Sequence, residues 1–243
     1  MRIIILAAGY GTRLYPLTLD LPKPLICINH KPIINFLIDK IEELSHFYPI
    51  EGITVVSNNK FYNKFLDWRK EYKVMARIVN DGSNSPQDRL GAVRDIKVAM
   101  GQEQGDWLVL GGDNLFEDSL VGFVNFVLEK KPYSSIGLYD VKDKAEAVNY
   151  GIVEIDADEK IIKFQEKPKN PISTLAATCV YFFSQDSLNL LDSFFMEVEK
   201  NDTSGEYIRW MIDKTRVYGY SFKKRWFDIG GNDSLKMAEQ TFI

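Results

Sequence analysis

The chain opens on Arg2-Ile3-Ile4-Ile5-Leu6, apolar and β-branched, and passes at once into Ala7-Ala8-Gly9-Tyr10-Gly11. Such a run ending in small residues predicts a buried strand that feeds a loop. Over 32–45 the period changes: Ile33, Ile34, Leu37, Ile38, Ile41 and Leu44 recur at spacings of three and four, which predicts a helix with one apolar face and Pro32 as its first residue. Strands are expected at 25–28, 53–58 and 75–80, with a helix carrying Phe61, Phe65, Leu66 and Trp68 between the last two. A helix at 89–100 then leads to Trp107-Leu108-Val109-Leu110, which runs into Gly111-Gly112-Asp113-Asn114. Four alternating units predict an α/β fold with a doubly wound, mostly parallel (mixed) sheet, Rossmann-like, whose ligands lie beyond the carboxyl ends of the strands.

The second half is richer in strands, at 134–141, 151–155, 161–165 and 175–183, with the polar stretch 156–160 reading as a hairpin turn. Helices near 186–199 and 204–214, a strand at 217–222 and a helix from 232 complete the pattern. No Pro/Gly/Ser-rich linker divides the halves, so a single domain over 1–243 is expected, with halves of about 1–115 and 116–243.

Composition narrows the class of partner. In 243 residues, 45% hydrophobic content suits a folded protein with a sizeable core, and a formal charge of −4 gives no bulk attraction to nucleic acid or anionic lipid. Cys27 and Cys179 are the only cysteines, too few for a disulfide framework or a zinc cluster. The apolar start is broken by glycines and Arg13 too early for a secretion signal, and no segment approaches a membrane span, so a cytoplasmic location is expected.

The chemistry begins in the glycine loop. Consecutive amide N–H groups in such a turn form an anion-binding concavity, and Arg13 and Lys23 add a guanidinium fork and a point charge beside it. The dinucleotide fingerprint would need glycine where Leu14 stands, and a P-loop would need Gly-Lys-Ser/Thr where Gly11-Thr12-Arg13 stands, so neither template applies. The whole string Leu6-Ala7-Ala8-Gly9-Tyr10-Gly11-Thr12-Arg13-Leu14, with Pro16, Thr18 and Pro22-Lys23-Pro24, resembles the signature of the sugar-phosphate nucleotidylyltransferases, or NDP-sugar pyrophosphorylases, and in particular the glucose-1-phosphate thymidylyltransferase type. Lys31-Pro32-Ile33-Ile34 is similar to a further segment of that family.

The resemblance implies a nucleotide-diphospho-sugar transferase fold, with the first half binding nucleotide and the second binding sugar phosphate. It implies that Arg13 and Lys23 are catalytic, and that Leu6, Ala8, Gly9, Gly11, Thr12 and Arg13 hold the nucleotide; in the stretch after the third strand, Gly91 could let its base lie against the backbone, and Asn80 or Gln87 could pair with it. Tyr150-Gly151, Glu166-Lys167 and Thr178 fall where the family binds the sugar phosphate, a role that suits a carboxylate accepting from hydroxyls and a lysine facing a phosphate. Asp113, and Asp228 in Trp226-Phe227-Asp228-Ile229-Gly230, match the positions that supply ligands to Mg²⁺, the expected cofactor.

The implied reaction is attack of a sugar 1-phosphate on the α-phosphorus of a nucleoside triphosphate, releasing pyrophosphate and forming an NDP-sugar. The attacking phosphate, with a second pKa of about 6, needs no general base. Accordingly His30 and His46 read as surface or turn residues.

Two departures from the family pattern stand out. The segment Asn80-Asp81-Gly82-Ser83-Asn84-Ser85-Pro86-Gln87-Asp88-Arg89-Leu90-Gly91 replaces the usual glutamine-proline and glycine turn that reads a pyrimidine, which leaves the base open, cytidine included. Cys179 stands where glycine usually follows the threonine. The alternatives are a cytidylyltransferase acting on phosphocholine or another small phosphate, for which Tyr150, Tyr181 and Trp210 could cage an ammonium group, and a non-catalytic binding subunit. The expected partners are a nucleoside triphosphate and a sugar 1-phosphate, with no nucleic acid and no membrane; a homo-oligomer is compatible with the sequence.

Overall fold

A computed structural model of the chain describes residues 1–198 and 203–242. From the N-terminus the elements are β1 (Arg2–Leu6), β2 (Cys27–Ile28), β3 (Lys31–Pro32), α1 (Ile33–Ser45), β4 (Gly52–Ser57), α2 (Tyr62–Glu71), β5 (Arg77–Asn80), α3 (Ala92–Met100), β6 (Trp107–Gly111), β7 (Asn114–Phe116) and α4 (Leu120–Lys130). There follow β8 (Ser134–Asp140), α5 (Lys144–Ala147), β9 (Gly151–Ile155), β10 (Ile161–Glu166), β11 (Leu175–Phe183), α6 (Gln185–Leu188), α7 (Leu191–Glu197), α8 (Ser204–Met211), β12 (Val217–Phe222), β13 (Trp226–Asp228) and α9 (Asn232–Thr241).

A nine-stranded sheet takes strands from both halves of the chain in the order β10-β9-β11-β6-β1-β4-β5, with β8 against β11 and β12 against β8. Strands β4, β5 and β6 run parallel to β1; β11 opposes β6, β8 and β9 oppose β11, β12 follows β8, and β10 opposes β9. Only β10 and β11 therefore run against the rest, which gives the mostly parallel, mixed sheet expected of the pattern.

The hydrophobic alternation explains why helices cover both faces. Along β1, Ile3 and Ile5 pack with Leu37 and Phe65 from α1 and α2, whereas Ile4 packs with Val93 and Ile96 from α3. All three isoleucines are fully buried, each worth roughly 1.5–3 kcal/mol relative to exposure. A third, smaller cluster of Leu14, Ile28, Ile33, Leu115, Ile229 and Leu235 packs beneath the glycine loop and joins the two ends of the chain.

Several boundaries differ from expectation for local reasons. Lys23–Leu25 form a 3-10 turn, so the strand expected at 25–28 shrinks to β2. Pro32 is extended (φ −54°, ψ 140°) and precedes α1 rather than opening it. The helix expected at 89–100 waits until Ala92, because Gly91 sits at φ 95°. The helix expected at 186–199 breaks into α6 and α7, and residue 199 lies outside the described residues. Helix α4 escaped notice, although Ser119 caps it by accepting from the Val121 N–H, and Leu120, Phe123, Val124 and Val127 share its buried face.

Candidate active site

The glycine loop leaves β1 under restraint from both sides. Asn58, fully buried, donates to the Ala8 carbonyl at 2.9 Å and accepts from the Phe61 N–H at 3.0 Å. On the far side Thr18, also fully buried, donates its hydroxyl to the Gly11 carbonyl at 2.7 Å. Gly11 is left-handed at φ 62°, and a Cβ there would stand 3.0 Å from the Thr18 methyl, so both conformation and space demand glycine. The loop is thereby shaped before any anion arrives.

Next to it, two parts of the chain far apart in sequence meet. Strands β7 and β13 pair antiparallel with Asn114 opposite Asp228, and the Ile229 N–H donates to the Asp113 carbonyl at 3.1 Å. Trp226 Nε1 fastens the pair by donating to Asn114 Oδ1 at 2.7 Å. Lys23, on its 3-10 turn, donates Nζ to Asp113 Oδ2 at 2.5 Å. The Asp228 carboxyl is pushed up to about 6, first by burial and then by the negative charge of Asp113, while Lys23, Arg13 and Lys167 pull it down. Two carboxyl groups and three cations thus share one electrostatic neighbourhood.

Three adjoining cavities surround this cluster. One of about 240 Å³ lies over Gly9, Gly11, Thr12, Arg13, Lys23 and Asp113. A second, of about 500 Å³, is bounded by Tyr150, Gly151, Glu166, Lys167 and Asp228, and shares Arg13 and Gly230 with the first. The third, of about 610 Å³, runs past Leu6, Ala8, Gly9 and Gly91 toward α3, and shares Gly9 and Asp113 with the first. Arg13 and Asp113 therefore stand where an extended ligand would cross from one compartment to the next.

The second cavity is built on a hairpin. Gly151 pairs with Glu166 across β9 and β10, and the Lys167 N–H donates to the Tyr150 carbonyl at 3.0 Å. That bond holds Lys167 at φ 43° immediately before Pro168, a left-handed conformation that costs a non-glycine residue on the order of 1–3 kcal/mol. Burial pushes the Glu166 carboxyl up, with Lys167 opposing. Room for that carboxylate comes from two glycines: a Cβ on Gly151 would stand 3.3 Å from Glu166 Oε2, and one on Gly205 would stand 2.1 Å from it.

A family model described as nucleotidyl transferase matches residues 2–242. The chain belongs to that family. It is 32% identical over 246 residues to the bifunctional protein GlmU of Methanococcus maripaludis, an alignment covering 100% of this chain and 54% of that protein. To a glucose-1-phosphate adenylyltransferase of Clostridioides difficile it is 27% identical over 275 residues, covering 100% of this chain and 66% of that one. The chain thus spans about half to two thirds of the length of these curated relatives. A solved structure named as a glucose-1-phosphate thymidylyltransferase of Bacillus anthracis, in complex with sucrose, shares the fold with a TM-score of 0.84 at 22% identity, over 99% of this chain and 94% of that one. A UDP-glucose pyrophosphorylase complexed with UDP-glucose does so with a TM-score of 0.81 at 20% identity, over 99% and 97%. Among the described residues no helix is long and apolar enough to cross a membrane.

Against this nucleotidyl transferase background, two residues expected at the site lie elsewhere. Thr178 is fully buried and donates to the Gly137 carbonyl at 3.0 Å, so its side chain leaves the cleft and Ala177 lines the second cavity instead. The cause is a bulge: the β11–β8 register shifts between Ala177 and Tyr181, and Cys179 within it is left-handed at φ 56°. Cys179 lines the third cavity beside Gly111, its thiol pushed up to about 12 by burial, ahead of the charge of Asp113, and so kept protonated. Asn80 is likewise turned aside. Its Oδ1 accepts from the Gly82 N–H at 2.8 Å and its Nδ2 donates to Asn59 Oδ1 at 2.7 Å, which closes a local turn, while Asp81 takes the cavity wall.

Sequence reasoning missed Gly205 and its neighbours Thr203 and Ser204, which line the second cavity. The available signal was Gly205 at the second position of a helix, where a residue of low helix propensity needs a reason.

Proposed function

We propose that this chain transfers a nucleotidyl group from a nucleoside triphosphate to a sugar 1-phosphate, releasing pyrophosphate and forming an NDP-sugar. The observation that carries the reading is the convergence of Lys23, Arg13, Lys167, Asp113 and Asp228 where the three cavities join. Membership of the nucleotidyl transferase family and the names of the relatives support it.

The triphosphate would lie on the Gly9–Arg13 loop, with its α-phosphorus facing the second cavity. A phosphate oxygen of the sugar attacks that phosphorus, one P–O bond forms as the bond to pyrophosphate breaks, and the electron pair leaves on pyrophosphate. Arg13 meets charge growing on the leaving group, while Lys23 and Lys167 draw the two anionic reactants together. Glu166 accepts from sugar hydroxyls in a largely desolvated pocket, where a lost hydrogen bond is costly.

Two neighbouring carboxyl groups, one of them raised by burial and then by the charge of the other, suit a hard divalent cation, and Asp113 and Asp228 would hold Mg²⁺. When bound, that ion would neutralise phosphate charge. Among the described residues no third His, Cys, Asp or Glu joins them, so the rest of the ion's shell would have to come from phosphate and water.

Of the three aromatic residues considered for an ammonium group, Tyr150 and Tyr181 line the second cavity and Trp210 does not. Tyr150 packs edge-on against Trp226 at 5.2 Å, and Trp210, outside the second cavity, donates to Glu197 at 2.7 Å.

The reading is tested by measuring pyrophosphate release over a grid of nucleoside triphosphates and phosphorylated acceptors, with and without Mg²⁺. Release that requires both a sugar 1-phosphate and Mg²⁺ is expected; none anywhere in the grid refutes it. Gly205→Ala, by displacing the Glu166 carboxylate, is expected to raise KM for the sugar phosphate about tenfold, the scale of one hydrogen bond to a charged group. KM for the nucleotide should stay unchanged, and a parallel rise in both would contradict the placement of Glu166.

A further inference from the structure

Away from Asp113, the cavity of about 610 Å³ beside the glycine loop carries two further carboxyl groups on its wall, Asp81 and Asp95, together with Arg89, Arg94 and Gly91. Asp81 is the first residue after β5, on a loop braced from within. Its N–H donates to the Ser57 carbonyl at 2.9 Å, and its Oδ1 accepts from the Ser83 N–H at 2.7 Å. The Ser83 hydroxyl lies 2.8 Å from Oδ1 and 3.0 Å from Oδ2, and meets the Tyr10 hydroxyl at 3.2 Å, which ties the carboxylate to the glycine loop itself. Further along, Asp88 accepts from the N–H groups of Asn84 and Ser85, so the return to Gly91 is also set.

Asp95, on α3, makes a side-chain hydrogen bond with Asp81. Burial pushes the Asp81 carboxyl up, against the bonds from Ser83 and Asp95. The Ser83 N–H and hydroxyl both donate to it, which sets its oxygens as acceptors. A carboxylate with this many fixed partners cannot swing away from whatever enters the cavity.

An ionised carboxylate only accepts hydrogen bonds. Uracil and thymine flank their single ring N–H with two carbonyl oxygens, so a carboxylate beside that edge faces lone pairs. Cytosine and adenine present an exocyclic amine next to a ring acceptor, and guanine presents an amine next to a ring N–H. We infer that Asp81 makes the nucleotide cavity selective for a nucleoside triphosphate whose base bears an exocyclic amine, and against UTP and dTTP. The inference rests on the proposed nucleotidyl transfer for the cavity's occupant, and it adds the class of base. A donor for the acceptor atoms of such a base stands on the same wall in the Arg89 guanidinium.

The test compares CTP, ATP, GTP, UTP and dTTP in two ways. One is kcat/KM for pyrophosphate release at fixed sugar 1-phosphate and Mg²⁺; the other is equilibrium binding by calorimetry with no acceptor present. The best amine-bearing nucleotide is expected to exceed both UTP and dTTP by about 10²-fold in each measurement, as when a polar group in a site is left facing the wrong partner. Asp81→Asn, whose amide can turn a donor toward a carbonyl, is expected to shrink that ratio about tenfold or more. UTP or dTTP at parity or better overturns the inference. So does an equal loss for all five nucleotides in a folded Asp81→Asn protein, because a carboxylate that merely ties the loop to α3 would act on every base alike. Should the variant fail to fold, the wild-type ratio decides alone. Selective binding without turnover would remove the proposed reaction and leave the base preference standing, whereas no binding of any of the five removes both.

Discussion

Asp228→Asn is expected to cut turnover by about 10²-fold or more, the scale of losing one preorganised electrostatic group, and at the same time to stabilise the protein at pH 8. The second effect follows from the raised carboxyl. Its folded value of about 6 stands above the ordinary 3.8, so folding takes up the proton more readily than the unfolded chain does. The stability contributed by this group is fully present below about 3.8 and is lost as pH rises through about 6. At pH 8 the ionised side chain, half-buried and within the field of Asp113, opposes folding by something on the order of 1–3 kcal/mol. Asparagine removes the charge and forfeits no side-chain hydrogen bond described for Asp228. An unfolding midpoint higher by several degrees is expected at pH 8 in metal-free buffer. The gain should fade toward pH 4. Thermal melts of both proteins across that range check it, and a variant no more stable than wild type at pH 8 would show that the carboxyl is not held high.

Lys23→Ala should cost at least as much activity, and with the opposite sign in stability. Its Nζ lies 2.5 Å from Asp113 Oδ2 and its side chain is only 13% exposed, so the pair is poorly screened. Without it, Asp113 and Asp228 face each other with one cation fewer, and both the charge balance of the empty cleft and the approach of two anionic reactants suffer. Turnover is expected to fall about 10²-fold or more. Stability at pH 8 should drop and recover in part near pH 5, where Asp228 regains its proton. Steady-state kinetics at saturating substrates together with melts at the two pH values read both effects. Near-wild-type kcat would remove Lys23 from the chemistry.

The sequence and the structure agree most closely where one element carries both pattern and site. The run Ile3-Ile4-Ile5 into Gly9 and Gly11 showed a buried strand and the glycine loop after it at once, because burial on both faces and, at Gly11, the need for φ above zero leave direct marks in residue type. The meeting of Asp113 with Asp228 left no such mark. It depends on β7 and β13, three residues each, too short for any period to register, and only the resemblance suggested joining them. Thr178 was misplaced for a related reason: a bulge shifts the alternation of β11, and Cys179, a residue that rarely adopts φ 56°, hides it. Asn80 and Asp81 are neighbours of similar size. Which one turns inward is decided by the local turn that Asn80 closes onto Gly82, a contact visible only once the loop is folded. Gly205 carried a signal in its low helix propensity, but the carboxylate it makes room for belongs to a strand 39 residues earlier in the chain, at Glu166.

One measurement reaches the centre of the proposal: the fate of a label on the α-phosphorus when enzyme, nucleoside triphosphate, sugar 1-phosphate and Mg²⁺ are combined. The convergent cluster predicts that the label moves into a nucleoside diphosphate sugar, with one pyrophosphate released for each. Label recovered as nucleoside monophosphate, or left wholly in the triphosphate after prolonged incubation over a range of sugar 1-phosphates, would contradict it.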